Sequence, residues 1–208
     1  MTAREEVLGR IRTALGATRA PVPAVVRNYR TTDGRPAGEL LDLLVDRLED
    51  YKASVLRCAP DAIAETVAAA LETGLNPGWR PEDVVVPPGL PQAWRPHGVS
   101  EDDGRPAVQL AAYEAAVTGV AVAIAETGTL VLDGSPATGR RAISLLPDCL
   151  VCVVEAELVV GGVPEGLARL DPTAPLTMIS GPSATSDIEL ERVEGVHGPR
   201  TLIVVLAG

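Results

Sequence analysis

The chain of 208 residues has no phenylalanine, and aromatic residues make up only 2% of it. Its core must therefore be filled by Val, Leu, Ile and Ala. Lysine occurs once, as Lys52, so imine chemistry on a lysine has a single candidate, set in a plain polar context. The three cysteines, Cys58, Cys149 and Cys152, are one short of the four thiolates that a cysteine-held iron–sulfur cluster takes. They also make no secreted disulfide framework. Cys149 and Cys152 have Cys-x-x-Cys spacing, but they lie in "CLVCVV", which reads as a strand. Positions i and i+3 of a strand face opposite ways, so both read as core thiols. No Gly-rich dinucleotide or phosphate loop follows a strand. No uninterrupted apolar run is long enough for a membrane span, and the opening "MTAREEVLGRIRTALG" has no signal-peptide core, so a cytoplasmic location is expected. The net charge of −10 argues against a nucleic-acid partner.

What is present alternates. Residues 3–15 place Val7, Leu8, Ile11 and Leu15 at helical spacing. A Pro-, Gly- and Thr-rich arm follows, so residues 1–36 form a helix plus linker and residues 37–208 an α/β domain. Within the domain the pattern predicts helices over "AGELLDLLVDRLEDY", "AIAETVAAALETG" (capped by Asp61), "PAVQLAAYEAAVTG", "PEGLARL" and "SDIELERVEG". It predicts strands over "ASVLRCA", "DVVVP", "VAVAIAE", "GTLVLD", "LVCVVEAELVV", "PLTMIS" and "TLIVVLA". Such alternation, with strands apolar throughout, implies a mainly parallel sheet with helices on both faces.

Ligands of open α/β sheets gather beyond the carboxyl ends of the strands. Two segments are expected there together. In the first, Glu126 ends a strand and Thr127, Gly128 and Thr129 turn the chain; Glu126 is a nucleophile, a general base, or a carboxylate that only satisfies turn amides. Arg140 and Arg141 follow, an anion site or a solvated pair. In the second, Gly181, Pro182 and Ser183 turn the chain into a helix whose start, Ser186 with Glu189, fits a capping box. That start exposes amides that suit an anion, although Asp187 already serves the helix dipole. His197, before Gly198 and Pro199, is an acid–base candidate expected to return near the Gly-Pro-Ser turn, or a structural histidine. No metal-ligand spacing is present.

Together "AIAETGTLVL", Arg141 before "SLLP", "SGPSATSDIE" and "GVHGPRTLIVVL" resemble the LUD domain family, of the lactate-utilisation protein C (LutC/YkgG) type. The resemblance covers residues 120–206 in consistent order, and "REEVLGRIRTALG" looks like that family's first helix. It implies a fold related to the NagB/RpiA/CoA-transferase group. It also implies a non-cluster subunit, serving the oxidation of L-lactate to pyruvate beside partner proteins that carry the iron–sulfur clusters. The alternative is a free-standing CoA-transferase-like or ligand-binding enzyme using Glu126. By the resemblance Glu126 and His197 are catalytic. Thr127, Gly128, Thr129, Arg141, Gly181, Pro182, Ser183, Asp187, Glu189 and Gly198 bind a small carboxylate or other anion. Two positions depart from the family pattern: Ala184 stands where Arg or Asn is common, and Leu150 where an aromatic or His is usual.

Overall fold

The computed structural model describes residues 2–16, 23–185, 193–194 and 198–208. Helix α1 (Ala3–Leu15) starts at a capping box in which the Glu5 amide donates to Thr2 Oγ1 at 3.3 Å and the Thr2 amide to Glu5 Oε2 at 2.7 Å. None of its residues is buried. Residues 23–34 run without regular structure into α2 (Ala37–Asp50), where Leu44 and Leu48 lie on one face and are fully buried.

The strands β1 (Ser54–Cys58), β2 (Val84–Val86), β3 (Ser100–Glu101), β4 (Ala115–Gly119), β7 (Cys149–Glu155) and β12 (Thr201–Ala207) form a six-stranded sheet in the order β1-β12-β7-β4-β2-β3. Every neighbouring pair is parallel. Parallel strands need covering on both faces, and the alternation along β7 divides accordingly. Cys149, Val151 and Val153 pack with Ile63, Val67 and Leu71 of α3 (Ile63–Gly74). Leu150, Cys152 and Val154 pack in the cluster that holds Leu44 and Leu48 of α2. The two thiols therefore face opposite sides of the sheet, as their spacing implies, and burial pushes each from an ordinary value of 9.0 up to about 12.

A second sheet lies across α2. Its strands β5 (Val122–Ile124), β6 (Thr129–Leu132), β8 (Val159–Val160) and β9 (Thr177–Ile179) are ordered β8-β5-β6-β9. β6 is antiparallel to both β5 and β9, and β5 is parallel to β8. Ala123, Leu130, Leu132, Val159 and Ile179 join α2 and the parallel sheet in one core. The short helices α4 (Ala107–Leu110), α5 (Arg141–Leu145) and α6 (Val163–Ala168) complete the layers. No helix among the described residues is long and apolar enough to cross a membrane.

Three local expectations fail. "PAVQLAAYEAAVTG" is not one helix, because α4 stops at Leu110 and Ala115–Gly119 is strand β4, buried at every residue. A strand enclosed between β2 and β7 selects small and β-branched residues, and its alanines imitate helix propensity. Asp61 lies inside a 3₁₀ turn, Pro60–Ala62, and α3 begins at Ile63 with no side-chain cap. Val193–Glu194, expected in a helix, is strand β11, antiparallel to β10 (Ala184–Thr185).

Candidate functional site

At the carboxyl edge of the parallel sheet residues 133–140 fold over the ends of β2 and β4: the Gly89 amide donates to Pro136 O at 2.9 Å and the Gly119 amide to Ala137 O at 3.0 Å. The ends of β7 and β12 line an open cleft with Pro60. A side chain at Gly89 would sit 2.3 Å from Pro136. Arg140 Nε and Nη2 clasp the buried Asp102 at 2.6 and 2.7 Å, and Nη2 also donates to Arg105 O. That guanidinium holds the Asp102 carboxyl below its ordinary range. Arg140 is thus a staple between residues 133–140 and the segment after β3, not half of a solvated pair.

The two segments expected at the parallel sheet instead belong to the second sheet, and there they do share an edge. β5, β8 and β9 run the same way, because β5 and β9 both oppose β6 while β8 parallels β5. Their carboxyl ends deliver Ala125–Glu126–Thr127–Gly128, Gly161–Gly162 and Ser180–Gly181–Pro182–Ser183 to one side. The Glu126 amide donates to Gly161 O at 3.0 Å. A chain of hydroxyls ties the turn after β5 to the end of β9: Thr127 Oγ1 lies 2.7 Å from Thr129 Oγ1, and Thr129 Oγ1 lies 2.8 Å from Ser180 Oγ.

Helix α2 fixes both turns from behind. Gly128 and Gly181 have φ of +58° and +89°. A Cβ on Gly128 would lie 2.9 Å from Arg47 Cβ, and one on Gly181 would lie 2.6 Å from Tyr51 Cβ and 2.8 Å from Tyr51 O. Each position needs both the left-handed conformation and the missing side chain.

The N-terminal arm closes the other end. Arg30 Nη2 meets Glu126 Oε1 at 2.6 Å, with the Glu126 side chain 44% exposed. Asp33, whose side chain is 4% exposed, accepts from Arg35 Nε at 3.0 Å and Nη2 at 2.7 Å. The Asp33 amide donates to Glu165 Oε1 at 3.0 Å, and the Gly162 amide to Glu165 Oε2 at 3.0 Å. Arg35 holds Asp33 below the ordinary carboxylate value, and the two backbone amides do the same for Glu165.

Beyond the Gly-Pro-Ser turn lies an open cleft of ≈ 220 Å³, walled by Thr177, Ser180, Gly181, Pro182 and Ser183 opposite Leu145, Gly198 and Pro199. The Ser183 amide donates to Pro199 O at 2.8 Å, so the two Gly-Pro turns are clamped together. Arg141 Nε donates to Thr177 Oγ1 at 3.1 Å and Nη2 to Leu176 O at 3.0 Å, which seats a cation behind the cleft wall. Glu126 does not line the cleft and is linked to it through the hydroxyl chain. Asp187, Glu189 and His197 lie outside the described residues.

The LUD domain model matches residues 65–207. The chain belongs to the LUD domain family. It is 38% identical over 213 residues to the "Lactate utilization protein C" of Deinococcus radiodurans, covering 99% of this chain and 96% of that protein. The protein of the same name from Bacillus subtilis is 26% identical over 231 residues, covering 94% of this chain and 92% of the relative. The crystal structure of a DUF162 family protein from Deinococcus radiodurans superimposes with a TM-score of 0.69 at 35% identity, covering 84% of this chain and 99% of that chain.

In this LUD chain α2 and the arm precede the matched span, yet they hold the site: Arg47 and Tyr51 back the turns, and Arg30 meets Glu126. Sequence reasoning missed Arg30, Thr177 and Ser180. The arm has no periodicity to signal where Arg30 lands, and Ser180, although next to Gly181 in sequence, meets Thr129 only through the pairing of β6 with β9. Leu150, at the departing family position, is a core residue of β7, paired with Leu202 and Ala116. Among the described residues no cluster of His, Cys, Asp or Glu could hold a metal ion. The hydroxyls, backbone and nearby guanidinium can hold a small anion, and the Glu126 carboxylate is held by Arg30.

Proposed function

We propose that this LUD chain is a cytoplasmic subunit of an L-lactate utilisation system, and that its cleft between the two Gly-Pro turns receives a small carboxylate. The carrying observation is the convergence of Thr177, Ser180 and Ser183 with the Arg141 guanidinium behind them. A carboxylate accepts hydrogen bonds from donors of this kind. Near-full-length relatives named for lactate utilisation supply the pathway. Oxidation of L-lactate to pyruvate removes two electrons and two protons. The resemblance to the lactate-utilisation protein C type implies iron–sulfur partner proteins that take the electrons, and the three cysteines of this chain, with Cys149 and Cys152 on opposite sheet faces, are compatible with clusters held on those partners. The test is reconstitution with those partners. Lactate-dependent dye reduction should require this chain and fall roughly tenfold or more in Arg141→Gln, with its melting midpoint kept. Full lactate oxidation by the partners alone would refute the subunit role.

A second reading rests on Glu126. Its carboxylate is part-exposed after β5, and in a CoA-transferase-like enzyme it would attack an acyl-CoA thioester, forming a mixed anhydride as the C–S bond breaks and CoA leaves as the thiolate. Incubation with acyl-CoA thioesters followed by peptide mass analysis separates the two: a Glu126-linked acyl adduct favours the enzyme, and its absence alongside lactate-dependent activity favours the subunit.

A further inference from the structure

The hydroxyls that join the Glu126 turn to the cleft are not equivalent. Ser180 is exposed and walls the cleft, whereas Thr129 is only 8% exposed and reaches Ser180 from the paired strand β6. Thr129 Oγ1 lies 2.7 Å from Thr127 Oγ1 and 2.8 Å from Ser180 Oγ, both ordinary distances between hydroxyls. Its other neighbour, Thr127 O, is 3.4 Å away, too long to compete. Each hydroxyl carries one proton, so the row can run in either direction. From Thr127 through Thr129 to Ser180, it leaves the Ser180 proton to the cleft. In reverse, Ser180 donates to Thr129 and turns its lone pairs toward the cleft.

An anion in the cleft removes that choice. A carboxylate only accepts, so Ser180 donates to it, Thr129 donates to Ser180, and Thr127 donates to Thr129. Every bond of the row then runs toward the ligand, and hydrogen bonds aligned in this way strengthen one another. Thr177 is set in the same sense. An arginine only donates, so Thr177 Oγ1 accepts from Arg141 Nε and keeps its own proton for another acceptor. The exposed Ser180 side chain, by contrast, has its direction fixed by the buried Thr129. We propose that Thr129 is a positioning residue for the bound carboxylate, holding the Ser180 hydroxyl in place and directing its proton into the cleft. This rests on the reading of the cleft as a small-carboxylate site.

Titration of the full chain with L-lactate and with pyruvate, followed by ligand-detected NMR, tests this. Thr129→Val keeps the branched shape of the side chain and removes the hydroxyl. It should weaken both anions roughly fivefold, and Ser180→Ala should weaken them roughly tenfold. Thr129→Ser, which keeps the hydroxyl, should bind within about twofold of wild type. Adding Thr129→Val to Ser180→Ala should cost nothing more, because the row no longer reaches the ligand. A loss from Thr129→Val that persists in the Ser180→Ala chain overturns the proposal, since Thr129 would then act through the fold and not through Ser180. So does a Thr129→Ser chain as weak as Thr129→Val. If wild type binds and Thr129→Val binds equally well, the positioning role fails and the carboxylate cleft stands. If wild type takes up neither anion, the reading of the cleft fails and the proposal with it.

Discussion

At the residue scale the site depends on positions where chemistry is excluded as much as supplied. Gly128 and Gly181 each combine a left-handed backbone with the backbone or Cβ of α2 and its C-terminal cap where a side chain would start. A Cβ at such a φ costs about 1–2 kcal/mol, and pushing α2 away adds to it. Gly78 provides the comparison: its φ is +96°, but a Cβ there would have open space for 4 Å around it. Gly181→Ala should therefore lower stability by roughly 2–4 kcal/mol, and Gly78→Ala by about 1–2 kcal/mol. Chemical denaturation of the two variants checks this; equal losses would mean that α2 yields freely. The Asp102–Arg140 clasp makes a second test. Asp102 has a side chain only 5% exposed, so Arg140→Met leaves a buried carboxylate without its cation. The expected loss is about 3 kcal/mol, recovered in part by Asp102→Asn in the same chain, because the residual penalty belongs to the charge.

At the element scale, α2 organises the molecule. It lies between the two sheets, contributes Leu44 and Leu48 to their shared core, and presents Arg47 and the capping Tyr51 to the two turns. Replacing Leu48 with Ala should destabilise the protein by about 2–5 kcal/mol and loosen both turns together. Hydrogen exchange at the Gly128 and Ser183 amides should speed up in parallel, while the amides of α3, on the far face, change only with global stability. The α2 helix itself is legible from its spacing, and so are the apolar strands, the opposed faces of Cys149 and Cys152, and the two loops that would meet. The partition of strands into two sheets is not. β5 and β6 are as apolar as β4 and β2, and nothing local in "VAVAI" tells an antiparallel ribbon from a parallel core strand. β4 is hidden for the converse reason: Ala115 and Ala116 are small because neighbours enclose them, and alanine favours helix wherever that enclosure is not visible. Arg30 and Glu126 stand far apart in sequence, and only the docked arm joins them.

At the scale of the whole molecule, the two sheets divide the work, and the division sets how stability responds to pH. The parallel sheet is the scaffold, its central strands β2, β4, β7 and β12 buried and the ends of β2 and β4 covered by residues 133–140, while the Gly-Pro-Ser cleft belongs to the second sheet. Both thiols of β7 are pushed from 9.0 to about 12, first by burial and, for Cys149, also by the neighbouring Asp148 carboxylate. These are groups whose folded values lie above their unfolded ones. Below the unfolded value both states keep the proton and the thiols cost nothing. Between about 9 and about 12 the unfolded chain releases protons that the folded chain retains, so stability falls as pH rises. The slope is about 1.4 kcal/mol per pH unit for each thiol, or roughly 3 kcal/mol per unit for both. Acid has the opposite sign. Asp33, Asp102 and Asp148 are held below their ordinary values, first by Arg35, Arg140 and Arg200 respectively, so their contribution is present above the unfolded carboxylate value and is lost as pH falls through the folded ones. The alkaline limb is the sharper test, because it can be removed without touching any ion pair. Cys149→Ala with Cys152→Ala should lower stability at neutral pH by a cavity cost of about 1–3 kcal/mol, yet flatten the decline between about pH 9 and about pH 11. Denaturant melts of both chains across that range decide the matter: parallel curves would mean that water reaches the thiols in the folded chain.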